Sequence, residues 1–310
     1  MPHWELESTL FLTSRLPEQA PAEEIAWVLC ANPACDDQPQ TICVVDVNPT
    51  SCSYGEVVTE IALDLADTLP FSVGLHEAAS AGALHGEEPP EPGPTQRIPP
   101  HVILAHDATC PYGFVSSGFS LHNLASTISV WRRYDGLDTA VPWALRKVIA
   151  IPDEPYCAEL LPSVLRPSGT VPALITDIAL SPDDRFLYVA CWGAGDLKQF
   201  DVSNPLRPRE IASIRIGGIA AGAAHPSQAR RLNGGPATIT VSRDGRRIYV
   251  TNALSRSWNA RLYPAGLQGW LVKLDADPGG GITFDPNFFV DFGDQRPHRL
   301  FLPEQGLGRR

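Results

Sequence analysis

The chain has 310 residues, a formal net charge of −11, 44% hydrophobic residues and 19% charged residues. This composition is typical of a folded domain and excludes global disorder. The acidic balance argues against nucleic acid or an anionic membrane surface as a partner. No apolar run approaches the roughly 20 residues that cross a bilayer.

The N-terminal part of the chain predicts an arm followed by one small sheet. Residues 1–20 carry no basic leader with an apolar core, so we expect an arm rather than a secretion signal. Residues 21–63 contain three β-rich runs, EEIAWVLCA, TICVVDVNP and VVTEIAL, and we interpret them as a first blade. The seven cysteines are odd in number and favour reduced thiols, which predicts a cytoplasmic protein.

Beyond these strands the pattern changes twice. Residues 64–100 are rich in Ala, Gly, Pro and Glu and show no strand alternation, so they predict a linker or a long mobile loop. Residues 101–310 again consist of short β-rich runs separated by turns and predict further blades. The segment 219–236 interrupts them as an insertion loop.

A repeated phrase predicts the architecture. Ser181, Asp183, Asp184 and Arg185 precede a β-rich run that ends in Tyr-Val, and the same phrase recurs over residues 242–250. A repeat built on such a hairpin turn indicates a β-propeller. We therefore predict an all-β propeller of about four to six blades, with incomplete or irregular closure as an alternative. We expect Asp184 and Asp244 to cap the two turns. An open ring would leave a strand edge unpaired, which favours an oligomer.

Several phrases, taken in order, resemble the selenium-binding protein / methanethiol oxidase family. They are EEIAWVLC, VVDVNP, GFVSS, TDIALSPDDRFLYVACWGAGDLKQFDVSNPLRPR, LNGGPATITVSRDGRRIYVTN, SWNARLYP, WLVKLDAD and DPNFFVDFG followed by Pro297-His298. The resemblance is dense over residues 101–300 and thinner over residues 18–63. It implies a propeller that handles a small thiol or a selenium species.

The chain also departs from that family. Members are considerably longer, and the part missing here falls within residues 64–100, where the family carries a His- and Cys-rich motif implicated in holding selenium. No Cys-Ser-Ser-Cys pattern is present, and Leu75-His76-Glu77 is the nearest counterpart. The departure puts retained catalytic activity in doubt.

The resemblance implies copper or selenium as the bound species, and both need suitable side chains. The metal candidates are histidines, because several imidazoles brought together can hold copper; they are His106, His298, His225 and His76. Cys191 is the candidate for a thiol that binds selenium, with a buried structural thiol as the alternative. Four further residues are pocket candidates: Asp177 and Asp196 as side chains that face the central channel, and Trp192 and Trp258, whose first role is to wedge blade against blade and whose second is to line a pocket.

Three functions remain open from the sequence. The first is copper-dependent oxidation of a small thiol with O2 to an aldehyde, sulfide and peroxide. The second is a non-catalytic propeller that binds selenium, a small thiol or a protein partner. The third is a metal-dependent hydrolase of the lactonase type. A fold does not fix a function, so the chemistry of the site must decide among them.

Overall fold

The computed structural model describes residues 22–31, 40–63, 97–98, 100–107, 112–120, 123–124, 126–133, 143–226, 231–254 and 256–302. The predicted N-terminal arm (1–20) and nearly all of the predicted linker (64–100) lie outside this part of the chain. The described residues form a nearly all-β structure with one short α-helix, as the sequence predicted. None of their helices is long and apolar enough to cross a membrane.

Among the described residues, four antiparallel sheets of four strands each form blades of a propeller, which we number I to IV in the order in which they stack. The strands of each blade are given from the innermost outward. Blade I contains β5 (Val102–Leu104), β6 (Tyr112–Ser116), β8 (Thr127–Arg133) and β9 (Trp143–Ala150). Blade II contains β12 (Ile175–Leu180), β13 (Phe186–Cys191), β14 (Asp196–Asp201) and β15 (Arg209–Arg215). Blade III contains β18 (Thr238–Val241), β19 (Arg247–Thr251), β20 (Gly269–Ala276) and β21 (Ile282–Gly293), and blade IV contains β22 (Arg296–Phe301), β1 (Ile25–Ala31), β2 (Gln40–Asp46) and β3 (Val57–Leu63).

Shorter elements connect the blades. Three of them are two-stranded sheets: β4 (Arg97–Ile98) with β7 (Phe119–Ser120), β10 (Glu154–Pro155) with β11 (Thr170–Val171), and β16 (Gly218–Ala224) with β17 (Arg231–Gly234). The others are a 3-10 turn (Ala158–Leu160) and the helix α1 (Arg256–Leu262). The predicted insertion loop 219–236 is therefore largely a β-hairpin in the described residues.

The packing of the blades explains the sequence pattern of their strands. In blade II every residue of β12 and β13 is buried, because neighbouring blades cover both faces of the sheet. The outermost strand β15 is instead largely exposed. Hydrophobic clusters join blade I to II, II to III, and III to IV. Apolar contact between stacked sheets thus provides the core.

The repeated phrase forms equivalent hairpins in blades II and III, as predicted. The Ser181 hydroxyl donates to Asp183 and accepts from the Phe186 backbone N–H at 2.9 Å. In blade III, Ser242 makes the same pair of bonds with Asp244 and the Arg247 N–H. After these hairpins the blades diverge, since a tight turn follows in blade II and α1 follows in blade III.

The role expected for Asp184 needs a correction, whereas Asp244 caps its turn as expected. Asp183 is the residue equivalent to Asp244, and Asp184 occupies the position of Gly245, where both backbones have a positive φ (+57° and +71°). The Asp184 carboxylate accepts the backbone N–H groups of His106 and Asp107, each at 2.9 Å. Asp184 therefore ties blade II to blade I rather than capping its own turn.

Blade IV is built from both ends of the chain. Its innermost strand, β22, comes from the C-terminal part and pairs antiparallel with β1. The predicted first blade (21–63) thus supplies three strands of this sheet. The guanidinium of Arg247 in blade III holds the segment before β1 through Glu23, with Nη2–Oε2 at 2.7 Å. The pairing of β22 with β1 joins the N-terminal and C-terminal parts of the described chain in one sheet.

Candidate functional site

The innermost strands determine which side chains can meet at the centre of the propeller. His101, just before β5, lies against Asp177 near the start of β12, and His106, just after β5, lies against Asp184 beyond the end of β12. These two strands therefore run in the same direction. We call the end of the channel near the starts of the innermost strands the axial mouth.

Asp177 connects three blades at the axial mouth. Its Oδ1 lies 2.9 Å from Nδ1 of His101 in blade I and also accepts the backbone N–H of Ile178 at 2.9 Å. Its Oδ2 accepts the backbone N–H of Ile239, in β18 of blade III, at 2.8 Å. The carboxylate is nearly buried and all these contacts point at it, so it fixes the orientation of the His101 ring.

His298 is contributed by β22 of blade IV. Its Nδ1 lies 3.3 Å from the carbonyl oxygen of Ala253. Burial lowers the pKa of His298, and the positive charges of Arg299, Arg296 and His101 lower it further, while the Ala253 carbonyl opposes this shift. His298 is therefore neutral at pH 7 and sits among cationic groups.

We define the axial site as His101, Asp177, Arg296, His298 and Arg299. Arg296 is 9% exposed, so its charge is held in a largely desolvated position. This set contains one carboxylate, two guanidinium groups and two imidazoles, and the carboxylate contacts the His101 imidazole. The arrangement favours a small anion, because positive charge near a buried surface is screened little by water.

The described histidines that the sequence suggested as metal ligands do not lie together in the structure. His106 lies at the opposite end of β5 from the axial mouth and pairs with Asp184 at 2.7 Å, so it does not join His298. His225 is buried against Phe284 and Phe289 of β21, the outermost strand of blade III, and burial lowers its pKa. His76 lies outside the described residues. Of the three that the structure describes, His298 alone belongs to the axial site.

Two other candidates are placed within blade II. Cys191 is fully buried in the cluster between blades I and II, and burial raises the pKa of its thiol. Asp196 is on β14, two strands outward from the axis, where its Oδ1 pairs with Nε of Arg215 at 2.8 Å. Burial raises the pKa of Asp196. Neither side chain reaches the axial site in this arrangement.

Trp192 and Trp258 lie together in a hydrophobic cluster formed by the loops that connect the blades. The Trp192 indole N–H donates to the carbonyl of Asn252 at 3.1 Å, and the Trp192 carbonyl accepts the hydroxyl of Tyr263. Trp258 packs edge to face on Phe119 with ring centroids 5.2 Å apart. Both indoles are fully buried, so they pack connections together rather than line an open pocket.

Sequence reasoning missed three members of the axial site: His101, Arg296 and Arg299. His101 lies just before and Arg296 at the start of an innermost strand, which places them at one end of the ring, and Arg299 follows His298 in β22. That feature becomes visible only when the order of strands within each blade is known. His106 follows its innermost strand instead of preceding it, so it lies at the opposite end of β5 from the axial mouth.

The residues at the axis must also be tested against copper. Within the described ranges no group of three or more His, Cys, Asp or Glu side chains is placed to hold a metal ion. Two imidazoles lie at the axial mouth, each held at Nδ1 by an acceptor, and this second-sphere arrangement is common for histidine ligands. The described side chains thus offer at most two ligands for copper.

The fold is an all-β propeller, and its candidate functional site is the axial site. Residues 91–305 match the family described as "56kDa selenium binding protein (SBP56)". The chain therefore belongs to this selenium-binding protein family.

Relatives with assigned names support the same family. Methanethiol oxidase of Homo sapiens is 35% identical over 217 residues, which are 64% of this chain and 43% of that protein. Selenium-binding protein 2 of Mus musculus is 33% identical with the same coverage. The chain thus spans less than half the length of these relatives.

A solved structure supports the fold over nearly the whole chain. The hypothetical selenium-binding protein from Sulfolobus tokodaii superposes with a TM-score of 0.76 at 25% identity, covering 96% of this chain and 97% of that one. The propeller predicted from the sequence is confirmed by this similarity and by the strand arrangement.

Proposed function

We propose that the protein binds a small anionic sulfur or selenium species at the axial site. The observation that carries the proposal is the geometry of the axial mouth, where Asp177 holds His101 and β22 brings His298 together with Arg296 and Arg299. Family membership supports sulfur or selenium as the element, since relatives are named methanethiol oxidase and selenium-binding protein. Thiolate, hydroselenide and selenite share the negative charge that such a site favours.

Each residue has a distinct role in this proposal. The two arginines provide fixed positive charge for the anion. Asp177 acts as a positioning residue, because it orients His101 through Nδ1 and leaves binding to the Nε2 side of the ring. His298, which is neutral at pH 7 and donates from Nδ1 to Ala253, can accept the proton of an arriving thiol at Nε2.

Calorimetric titration of the purified full-length chain tests the proposal with selenite and methanethiol as separate probes and sulfate as a control anion. We expect at least one of the two probes to bind more tightly than sulfate. His298→Gln should weaken that binding about tenfold or more, equivalent to about 1.4 kcal/mol. His106→Gln, at the other end of the channel, should leave it unchanged. Absence of binding by both probes would refute the proposal.

A second candidate is copper-dependent thiol oxidation, favoured by the two imidazoles that are each held at Nδ1. His101 and His298 would hold copper through Nε2, and bound copper would supply the redox chemistry between thiol and O2. The protein would contribute a charged mouth that attracts the thiolate. Against this candidate stands the lack of a third metal-binding side chain among the described residues.

Oxygen uptake distinguishes the two candidates. The full chain is loaded with copper, desalted and supplied with methanethiol, and O2 consumption and sulfide release are recorded. An oxidase consumes thiol and O2 together, and His101→Gln and His298→Gln both abolish this activity. A binding protein gives the calorimetric signal without oxygen uptake.

A further inference from the structure

The peptide group between Ala253 and Leu254 links the axial site to the helix α1. Its carbonyl belongs to Ala253 and lies 3.3 Å from Nδ1 of His298. Its N–H belongs to Leu254 and donates to Oδ1 of Asn259, a residue of α1, at 3.2 Å. The N–H and C=O of a trans peptide point in opposite directions within one plane, so His298 and Asn259 lie on opposite sides of this peptide.

The Asn259 amide is held at both of its ends. Its Oδ1 accepts the Leu254 N–H, and its Nδ2 donates to the Leu254 carbonyl oxygen at 3.3 Å. A reversed amide would bring two donors together at one end and two acceptors at the other, so the bonding pattern favours this orientation. Asn259 is 7% exposed, so water competes little for the two bonds. The side chain therefore fixes the position of the Leu254 backbone.

The packing of α1 explains why Asn259 can hold this position. Trp258, the preceding residue, is fully buried, and its ring packs on Phe119 of β7 with centroids 5.2 Å apart. The Tyr263 N–H donates to the Asn259 carbonyl at 2.8 Å, and the Tyr263 hydroxyl donates to the Trp192 carbonyl at 3.1 Å. The helix is thus attached to connections of blades I and II, which keep the Asn259 side chain in place.

Asn252 holds the chain on the other side of Ala253. Its Oδ1 accepts the Trp270 N–H at 2.9 Å, and its Nδ2 donates to the Gln268 carbonyl at 2.7 Å. Asn252 is fully buried. Two buried asparagines, Asn252 and Asn259, therefore bracket Ala253 and fix the direction of its carbonyl.

The bond to Ala253 decides which nitrogen of His298 carries the proton. A carbonyl oxygen can only accept, so this bond requires a proton on Nδ1. A neutral imidazole has one N–H, so Nε2 then presents a lone pair. Hydrogen bonds in a chain polarise one another, so the bond from the Leu254 N–H to Asn259 makes the Ala253 carbonyl a better acceptor. Placement and polarisation both favour the Nδ1–H form of His298.

We propose that Asn259 is a positioning residue of the axial site, which acts through the Ala253–Leu254 peptide to keep the proton of His298 on Nδ1 and the lone pair on Nε2. This inference rests on the proposed function, in which Nε2 accepts the proton of an arriving thiol. In that step the sulfur keeps the electron pair of the S–H bond, and the imidazole becomes an imidazolium paired with the thiolate. The Nδ1–H form alone can accept at Nε2, so Asn259 sets the fraction of sites that are ready for the thiol.

The nitrogen NMR shifts of the His298 ring test the proposal in the full-length protein at pH 7, because they distinguish a protonated from a bare ring nitrogen. The spectrum of His298→Gln assigns the signals. We expect Nδ1 to carry the proton in the unmodified protein. In Asn259→Ala the two nitrogens should become more alike, since the ring then exchanges between its two neutral forms.

Asn233→Ala is the matched control. It removes two bonds of similar length between an asparagine side chain and the backbone, from the Gln268 N–H at 3.3 Å and to the Gly266 carbonyl at 3.4 Å. These bonds do not involve the peptide that contacts His298, so the ring shifts should stay as in the unmodified protein. Asn259→Asp should also keep them, because its carboxyl group still offers an acceptor. Circular dichroism checks that each variant keeps its β-sheet content.

Calorimetry with methanethiol then relates the state of the ring to binding. Apparent affinity falls in proportion to the competent fraction, so a fall of the Nδ1–H fraction to about one tenth in Asn259→Ala should weaken binding about tenfold. Asn233→Ala should bind as the unmodified protein does. A methanethiol affinity that stays unchanged while the Nδ1–H fraction falls would overturn the proposal.

The ring shifts also overturn it in three cases: if the unmodified protein carries the His298 proton on Nε2, if Asn259→Ala leaves the shifts unchanged, or if Asn233→Ala alters them equally. The first case needs no variant, so the proposal stays open to refutation even if Asn259→Ala does not fold. If the unmodified protein binds neither methanethiol nor selenite while the shifts respond as expected, the proposed function fails and the action of Asn259 on His298 stands.

Discussion

At the scale of single residues, His298 shows how the environment sets the properties of the axial site. Its imidazole combines burial with three nearby positive charges, and both effects disfavour protonation. Under the proposed function, this surrounding charge would attract an incoming anion, and the neutral imidazole would act as the base.

Removing one of these cations should be visible at His298 itself. In Arg299→Gln, we expect the pKa of His298 to rise, because the positive charge of Arg299 helps to lower it. The measurement is an NMR titration of the imidazole carbon resonances. Arg209→Gln is the control, since Arg209 pairs with Asp201 at the far end of β14 and should not affect the His298 titration. An unchanged pKa in Arg299→Gln would show that Arg299 does not act on the site.

His225 should contribute to acid sensitivity. Burial lowers the pKa of His225 in the folded protein below its ordinary value of about 6.5, although nearby Asp285 opposes the shift. Its stabilising effect is therefore complete above about pH 6.5 and is lost as the pH falls further. In His225→Phe, a phenyl ring replaces the imidazole beside Phe284 and Phe289. The unmodified protein should lose more unfolding free energy between pH 7 and pH 5 than this variant does. Urea unfolding at both pH values measures it, and an equal loss in both proteins would contradict this account.

At the scale of elements, the hairpin turns of blades II and III show what the sequence could predict. The repeated Ser-x-Asp phrase specifies a local hydrogen-bond pattern, so the hairpins were predictable from neighbouring residues alone. The sequence did not predict that Asp183, rather than Asp184, caps the turn, because Asp184 accepts hydrogen bonds from a different blade. Local pattern therefore fixed the turn but not the long-range partner.

The serine of this turn should matter for stability. Ser181→Ala removes the acceptor for the buried Phe186 N–H, which should cost about 1–3 kcal/mol of unfolding free energy. Ser213→Ala, on the exposed strand β15, should change stability by less than about 0.5 kcal/mol. Chemical denaturation of both variants gives the comparison. Equal unfolding free energies for the two variants would show that the Ser181 hydroxyl does not stabilise the fold.

At the scale of the whole molecule, the sequence predicted the propeller class but not its closure. Strands of blades II and III are adjacent in the chain, so their pattern was visible as a repeat. Blade IV joins β22 to β1 across most of the chain length, and no local pattern encodes that pairing. The axial site was only partly predictable for the same reason, since His101 and His298 come together only through the ring.

The contact between Glu23 and Arg247 should support this closure. Glu23→Ala leaves the half-buried guanidinium of Arg247 with Asp244 as its remaining acidic partner, and we expect a loss of about 2–3 kcal/mol. Glu24→Ala, at the neighbouring exposed position, is the control and should be nearly neutral. Denaturant unfolding measures both variants. If Glu23→Ala is as stable as the control, this ion pair does not hold the first strand in place.

The central claim is that the ligand of this family member binds at the axial mouth. A crystal of the full chain soaked with selenite, measured at the selenium absorption edge, locates the bound atom directly by anomalous scattering. We predict a selenium peak in contact with His298 and the His101 side of the mouth. A peak at Cys191, at His225 or at His106, with none at the axial site, would contradict the account.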